Sequence, residues 1–216
     1  EAYIAEKESE IKEGKNFHLI LLAKNETGYK NLVKISSYAY VNGFYYKPRA
    51  DKKFLKEHSE GLIALSACMA GEIPYHLLNG RDEEAQKSLN DYVEIFGKDN
   101  FFIEIQDNGV EGQAELNEKL YQLAVANGLE LVATNDVHYV YKGDDILQDI
   151  LVCIQTGSKL NDPKRMRIDT EEIYLKSREQ MSERLGKYKG AIENTVKIAK
   201  RCNLELEFGK FKFPHY

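Results

Sequence analysis

The sequence has no long apolar run, no leader-like opening and no closely spaced pair of cysteines. Its longest apolar stretches, such as residues 19–23, are far too short to span a bilayer. The first residues lack a basic region followed by an apolar core, so no secretory signal is predicted. We therefore expect a protein without a membrane partner.

Only three cysteines occur, and they lie far apart in the chain: Cys68, Cys153 and Cys202. An odd number at such spacing argues against a disulfide framework and favours a reducing compartment, so we expect a cytoplasmic location. The lack of a CxxC pair argues against a zinc finger. No GxGxxG, Walker A or GxSxG motif occurs where its chemistry would need it, which argues against common nucleotide-binding and serine-hydrolase sites.

The composition is that of a globular protein. The chain has 216 residues, of which 43% are hydrophobic and 30% charged, enough for one substantial core or two small ones. The formal net charge of −5 argues against non-specific binding to a nucleic-acid duplex, although local basic clusters are present.

Short apolar runs alternate with segments of helical periodicity along the chain. Strands are predicted at residues 17–24, 61–67, 100–106 and 129–134. Helices are predicted at residues 26–41, 144–155, 178–185 and 191–202, and from residue 82 to an end at Gly97. A further helix, which contains Leu116 and Leu120, is predicted to end at Gly128. This order favours parallel strands joined by helical crossovers, in an open doubly wound sheet or in a barrel. A barrel would place its chemistry on the loops that follow the strands.

Asp136 and His138 form the most informative pair, because a carboxylate and an imidazole directly follow a buried strand. This pattern is typical of metal ligands, and the plainer interpretation is a turn with a surface histidine. Cys68 also follows a strand, where a small buried thiol is the plainer interpretation. His18 and Glu1 are further candidate ligands, although His18 opens its strand and so fits poorly at the end where strands finish. Together these residues predict a hydrolytic metal site.

Two other groups of polar residues are secondary candidates. Glu104 and Asp107 flank the end of the third predicted strand, where they would orient ligands or simply be polar strand-end residues. Lys47 and Arg49 stand beside aromatic residues in the segment FYYKPR, which suits contacts to phosphate and base. A structural turn with solvated cations is the alternative for that segment.

Several of these segments together match one known family. They are residues 1–3 (EAY), 18–25 (HLILLAKN), 44–49 (FYYKPR), 61–68 (GLIALSAC), 133–139 (ATNDVHY) and 153–157 (CIQTG). The chain thereby resembles, over essentially its whole length, the polymerase-and-histidinol-phosphatase (PHP) domains of bacterial DNA polymerase III alpha subunits.

The resemblance implies an α/β fold, a distorted parallel β/α barrel of TIM-like form. Residues 1–208 would be a PHP domain fragment and residues 209–216 the start of a linker toward a polymerase domain. The family opens with an HxH motif and an Asp-His pair that have no counterpart here, so we expect the barrel to be incomplete at its N-terminus. The family often has histidine at the position of Asn108.

The same resemblance implies a multinuclear cluster that binds Zn²⁺ or Mn²⁺, while Mg²⁺ would serve the polymerase domain outside this sequence. Asp136 and His138 would act in catalysis, and Lys47 and Arg49 would contact substrate phosphate. The implied metal ligands are Glu1, His18, Cys68, Asp136 and His138.

The implied function is that of part of a replicative DNA-directed DNA polymerase, with 3′–5′ exonuclease proofreading in this domain of the full-length protein. The fragment alone is expected to be inactive. Its partners would be DNA, through the full-length polymerase, and replicase subunits such as a separate proofreading exonuclease or a sliding clamp. A catalytically inactive domain that stabilises the polymerase and docks that exonuclease is the main alternative. A free-standing phosphatase of small phosphoesters is a third possibility.

Overall fold

A computed structural model describes residues 1–6, 14–210 and 213. Those residues form a mixed sheet of seven strands and eight α-helices. The strands are β1 (Ala2–Ala5), β2 (Phe17–Ala23), β3 (Phe44–Tyr45), β4 (Lys47–Asp51), β5 (Leu62–Leu65), β6 (Phe101–Gln106) and β7 (Leu131–Thr134). The helices are α1 (Glu26–Val41), α2 (Lys52–Glu57), α3 (Glu72–Leu78), α4 (Asp82–Phe96), α5 (Gln113–Asn127), α6 (Asp145–Thr156), α7 (Arg178–Leu185) and α8 (Glu193–Arg201).

The strand order is β3-β4-β1-β2-β5-β6-β7. The strands β5, β6 and β7 are parallel, as predicted, and so are β1 and β4. The prediction of an all-parallel sheet is wrong at β2, which runs antiparallel to both β1 and β5, and at β3, which forms a hairpin with β4. The α/β class is confirmed. Within residues 1–6 and 14–210 the outer strands β3 and β7 do not pair with each other, so barrel closure is not observed.

Periodicity located most of the helices and longer strands. The helix predicted at 26–41 is α1, and the one at 178–185 is α7. The strands β1, β3 and β4 were not predicted. The first two are only four and two residues long, and β4 opens Lys47-Pro48-Arg49, a composition that is poor in strand formers. Most of the predicted linker, 209–216, lies outside the described residues. None of the helices in the described ranges combines the length and apolarity needed to cross a bilayer.

The two faces of the sheet bury different cores. Alternate residues of β6, beginning with Phe101, pack against helices in the larger core, whereas Phe102 packs in a small core with Val132 and with Ile198 of α8. Along β6 the face of Phe102 continues with Glu104 and then Gln106, because side chains alternate along a strand. The small-core face therefore turns polar toward the carboxyl rim, the side of the sheet where β5, β6 and β7 end.

A close backbone contact holds α1 against the turn that precedes β5. A Cβ atom on Gly28 would lie 2.0 Å from the carbonyl oxygen of Gly61, so only glycine fits there. The side chain of Asn25 caps α1 by accepting a hydrogen bond from the Gly28 amide at 3.0 Å. Gly28 and Asn25 therefore have structural roles at the start of α1.

A buried ionic network fixes α3. Glu72, the first residue of α3, is 3% exposed, and its Oε1 accepts hydrogen bonds from Lys52 Nζ at 2.7 Å and from Ser88 Oγ at 2.8 Å. Its Oε2 accepts a hydrogen bond from the Tyr92 hydroxyl at 2.7 Å. Burial, followed by the charge of Glu72, raises the pKa of Tyr92 well above its usual range. Both carboxylate oxygens are satisfied, as a buried charge requires.

We predict that Glu72→Ala lowers the free energy of unfolding by about 3 kcal/mol, because it removes one partner of a buried ion pair and leaves the other polar groups in place. Urea denaturation followed by circular dichroism measures this change. Glu94→Ala is the control, since Glu94 pairs with Lys56 at the exposed surface and its loss should matter little. Equal losses in the two variants would contradict the role given to Glu72.

Candidate functional site

The reversed direction of β2 brings His18 to the carboxyl rim. Because β2 is antiparallel to β5, the start of β2 lies beside the end of β5. The His18 amide donates a hydrogen bond to the Ala70 carbonyl at 3.0 Å, and His18 bridges to Gly71 in the loop that follows β5. In the sequence, the position of His18 at the beginning of its strand fitted poorly with a site at the strand ends. In the structure, this position brings His18 beside the loop that follows β5.

Three of the predicted ligands lie together. Glu1 Oε1 is 3.0 Å from His18 Nδ1, and Cys68 Sγ is 3.7 Å from the same nitrogen. The ring of Tyr3 meets the imidazole edge-on with 5.1 Å between centroids. These donors come from the residue before β1, from β2 and from the loop after β5, so the fold brings remote segments into contact. We call Glu1, His18 and Cys68 the first donor group.

The Cys68 thiol lies among negative charges. Burial raises the pKa of the Cys68 thiol; a hydrogen bond involving the Ala70 backbone opposes that rise, and the charges of Asp136, Glu1 and Glu104 add to it. Since a thiol binds metal as the thiolate, this arrangement favours the neutral thiol until a cation is present.

Asp136 and His138 form a second donor pair at the surface. Asp136 has φ of 48°, in the left-handed region, where aspartate is among the non-glycine residues found most often. His138 Nδ1 lies 2.6 Å from the Asp136 carbonyl oxygen and 4.0 Å from its Oδ1. The Asp136 and His138 side chains are 45% and 34% exposed, respectively, so both are open to a ligand.

A distant segment, residues 170–176, anchors this second donor pair. The His138 amide donates to the Ile173 carbonyl at 2.8 Å, and the Asn135 side chain donates to the Tyr174 carbonyl. The ammonium of Lys176, whose side chain is fully buried, donates to Asn135 Oδ1 at 3.1 Å. Sequence reasoning did not predict this anchoring, because hydrogen bonds between distant residues leave no local pattern.

Glu104 lies on β6, between the strands that lead to Cys68 and to Asp136. It is 4% exposed, and its Oε1 accepts hydrogen bonds from Gln106 Nε2 at 3.0 Å and from the Thr134 hydroxyl. Its Oε2 is buried without a hydrogen-bond partner in the part of the chain that the structure describes. Burial raises the pKa of the Glu104 carboxyl, and the charge of Asp136 adds to the rise, whereas hydrogen bonds from Thr134, Gln106 and the Ala67 backbone oppose it.

The donors suit a divalent cation in their chemistry, since imidazole, thiol and carboxylate are the common zinc and manganese ligands. Across residues 1–6 and 14–210, however, no group of three or more His, Cys, Asp or Glu side chains has an arrangement that could hold a metal ion. The first donor group and the Asp136–His138 pair remain separate, and metal binding stays a prediction.

Lys47 and Arg49 lie on the same sheet face as His18, two strands away. Arg49 is paired in register with Tyr3, which is in turn paired with His18. Lys47 Nζ donates to the Tyr3 hydroxyl at 2.8 Å, and the buried Arg49 guanidinium donates to the Gly14 carbonyl at 3.3 Å. Lys47 is exposed and close to the first donor group, whereas Arg49 is held by the protein. Their contact with phosphate remains a prediction.

These features define an α/β domain whose candidate site is assembled at the carboxyl rim from strand ends and loops. The family model of the PHP domain matches residues 1–108, and the chain belongs to that family.

Proteins similar to this chain include the DNA polymerase III alpha subunits of three bacteria. The chain is 50% identical to the one from Treponema pallidum over 88% of its length and 46% identical to the one from Borreliella burgdorferi over 94%. It is 45% identical to the Thermus aquaticus subunit over its whole length. These matches cover 16%, 18% and 19% of the three relatives, so the chain spans less than a fifth of their length.

We predict that Lys176→Met loosens the loop that carries Asp136 and His138. The variant keeps the apolar stem of the side chain and removes the ammonium that holds Asn135. A loss of about 1–2 kcal/mol of local stability would make the His138 amide exchange roughly 5–30-fold faster with deuterium. Lys187→Met is the matched control, because Lys187 only lies over the Tyr188 ring at the surface. The anchoring role fails if both variants leave His138 exchange unchanged.

Proposed function

We propose that this chain is the PHP domain of a bacterial DNA polymerase III alpha subunit and that its carboxyl rim carries a metal-dependent phosphodiesterase acting as a 3′–5′ exonuclease. The observation that carries the proposal is the first donor group, in which Glu1 and Cys68 both reach His18 from remote segments. The similarity to alpha subunits supports the parent protein and, through it, DNA as the substrate.

The cation would be held by Glu1, His18 and Cys68 on one side and by Asp136 and His138 on the other. Imidazole and thiolate suit Zn²⁺, and the carboxylates suit Mn²⁺. When bound, such cations supply Lewis-acid stabilisation of phosphate oxygens and acidify water. The Asp136 and His138 side chains are exposed, so substrate would enter on that side.

The remaining residues would position the DNA end. Lys47 is exposed on the sheet face that carries His18, so its ammonium is placed to bind a backbone phosphate as a point charge. Tyr46 is 83% exposed in the turn just before Lys47, and its ring is available to stack on a base. The buried Arg49 guanidinium lies 5.7 Å from the centre of the Tyr45 ring and so packs against the same aromatic segment.

We predict that Asp136→Ala in the full-length protein reduces release of mononucleotides from a 3′ end by more than the roughly 10–100-fold typical of groups that only support a metal ligand. Asp144→Ala is the matched control, since Asp144 precedes α6 in the following loop and makes no side-chain capping bond. Equal rates for wild type and Asp136→Ala would defeat the catalytic assignment.

A second candidate function is that of a docking scaffold within the polymerase. The exposed face of α6 favours it, because Leu147, Leu151 and Ile154 are 56%, 58% and 72% exposed. Contiguous apolar side chains on a surface helix mark an interaction site. The lack of a three-donor metal arrangement in the residues described also suits a domain without catalysis.

Metal analysis of the full-length protein separates the two functions. Stoichiometric metal with nuclease activity supports the enzyme, whereas a metal-free and inactive protein supports the scaffold.

The scaffold also predicts that Leu151→Glu lowers either the unfolding temperature of the full-length protein or its affinity for a separate exonuclease. Val125→Glu is the control, since Val125 on α5 is equally exposed at 58%. Identical behaviour of the two variants would remove the support that α6 lends to the scaffold.

A further inference from the structure

Aromatic and cationic side chains cross the sheet from the β3–β4 hairpin to His18. Tyr45 is paired in register with Lys47, and Lys47 lies on the sheet face that carries Tyr3 and His18. The Lys47 ammonium donates to the Tyr3 hydroxyl at 2.8 Å, and the Tyr3 ring meets the imidazole with 5.1 Å between centroids. The contacts therefore run without a break from Lys47 to the first donor group. We call Tyr45, Tyr46, Lys47 and Tyr3 the hairpin row.

Tyr46 forms the turn of the hairpin at a position that favours glycine. Its φ is 57°, in the left-handed region that glycine adopts without strain and bulky residues rarely adopt. Tyr46 is 83% exposed, so its ring adds little to the core, and it meets the ring of Tyr45 edge-on at 4.7 Å. Burial therefore does not offset the backbone strain. Strain of this kind is kept chiefly where a side chain serves a ligand.

The Lys47 ammonium can bind an anion without giving up its contact in the hairpin row. An ammonium has three N–H donors, and the Tyr3 hydroxyl accepts from one of them. Lys47 is exposed, so its ammonium is open to solvent. At the end of the row, the Glu1 carboxylate faces His18 Nδ1 at 3.0 Å. The open part of the row is thus positively charged, which is complementary to a phosphate.

Rings that alternate with an ammonium suit an unpaired strand better than a duplex. Unpaired bases stack on aromatic rings while cations bind the phosphates between them. A duplex is bound mainly through many phosphate contacts, which a chain of net charge −5 is poorly equipped to make. The row crosses β3, β4, β1 and β2, a span of about 14 Å at the usual strand spacing, or about four nucleotides of a stacked strand.

We propose that the hairpin row binds single-stranded DNA, with bases stacked on Tyr45 and Tyr46 and a phosphate at Lys47, and leads the 3′ end toward His18. The inference rests on the proposed function for the identity of the strand as DNA, and it adds the form of the DNA and its path across the sheet. Binding to the row uses stacking and an ion pair, so it needs no metal. The plainer alternative is a tight turn with a solvated tyrosine.

Photochemical cross-linking of the full-length protein to a single-stranded oligothymidylate with iodouracil near its 3′ end tests the proposal. EDTA is present, so cleavage plays no part. Mass spectrometry locates the cross-link, and the strand concentration that gives half-maximal cross-linking at the row measures affinity there, apart from any binding by the polymerase domain. Tyr46→Asn, Tyr46→Phe and Lys47→Met are compared with wild type. Tyr29→Asn is the matched control, because Tyr29 is 40% exposed on α1, beyond the end of β2 that lies opposite His18.

We expect wild type to cross-link at the hairpin row. Tyr46→Asn should need at least about 5-fold more strand, because a base loses the ring on which it stacks. Its unfolding temperature should stay the same or rise, since asparagine tolerates a positive φ. Tyr46→Phe keeps the ring and should match wild type, as should Tyr29→Asn. Lys47→Met should lower the slope of log affinity against log salt by about 0.7, the value for one phosphate of a single strand.

The outcomes are distinct. A strand that cross-links to wild type only outside the row overturns the proposal, and so does a Tyr46→Asn variant that cross-links at wild-type strand concentrations. If Tyr46→Asn leaves the strand bound and instead weakens binding of a separate exonuclease, the row is a protein contact and the proposal also fails. Should Tyr46→Asn not fold, Lys47→Met decides: a lowered salt slope supports the proposal, and an unchanged slope contradicts it.

These results are independent of the proposed nuclease, because they are obtained without metal. A protein that binds the strand at the row and releases no mononucleotides keeps this binding site and loses the nuclease. A protein that releases mononucleotides without using the row keeps the nuclease and loses this site.

Discussion

The reversed direction of β2 is the constraint on which the candidate site depends. An all-parallel sheet would leave His18 at the end of the sheet opposite the loops that carry Cys68 and Asp136. Because β2 runs antiparallel between β1 and β5, its first residues reach the carboxyl rim, and His18 meets both Glu1 and Cys68. One antiparallel strand in an otherwise mainly parallel sheet therefore determines which side chains share a site.

Buried polar groups away from the rim keep its loops in place. The network around Glu72 fixes the start of α3 directly after the Cys68 loop. On the other side, the Lys176 ammonium and the Tyr174 carbonyl hold Asn135, just before Asp136. Each loop is thus supported by side chains from outside it, which allows the donors themselves to remain partly exposed for a ligand.

The apolar periodicity of the sequence predicted where helices and strands lie, and it could not predict the direction in which a strand runs in the sheet. Periodicity located α1 and the core of β6, since burial on one face repeats along the chain. It could not reveal the direction of β2, because an apolar run reads the same in either orientation. The ligand set came from family resemblance, and contacts now unite three of its members. The contacts of Glu104 with Ser66 and Thr134 could not be predicted, because they join residues that are remote in the sequence.

We propose that the carboxyl rim of this domain binds a divalent cation. Anomalous X-ray diffraction from crystals of the full-length protein grown with Zn²⁺ or Mn²⁺ tests it most directly. The account predicts an anomalous peak at the rim, about 2.0–2.3 Å from nitrogen, oxygen and sulfur donors that include His18 and Cys68. Crystals grown with Zn²⁺ or Mn²⁺ that show no anomalous peak at this rim would contradict it.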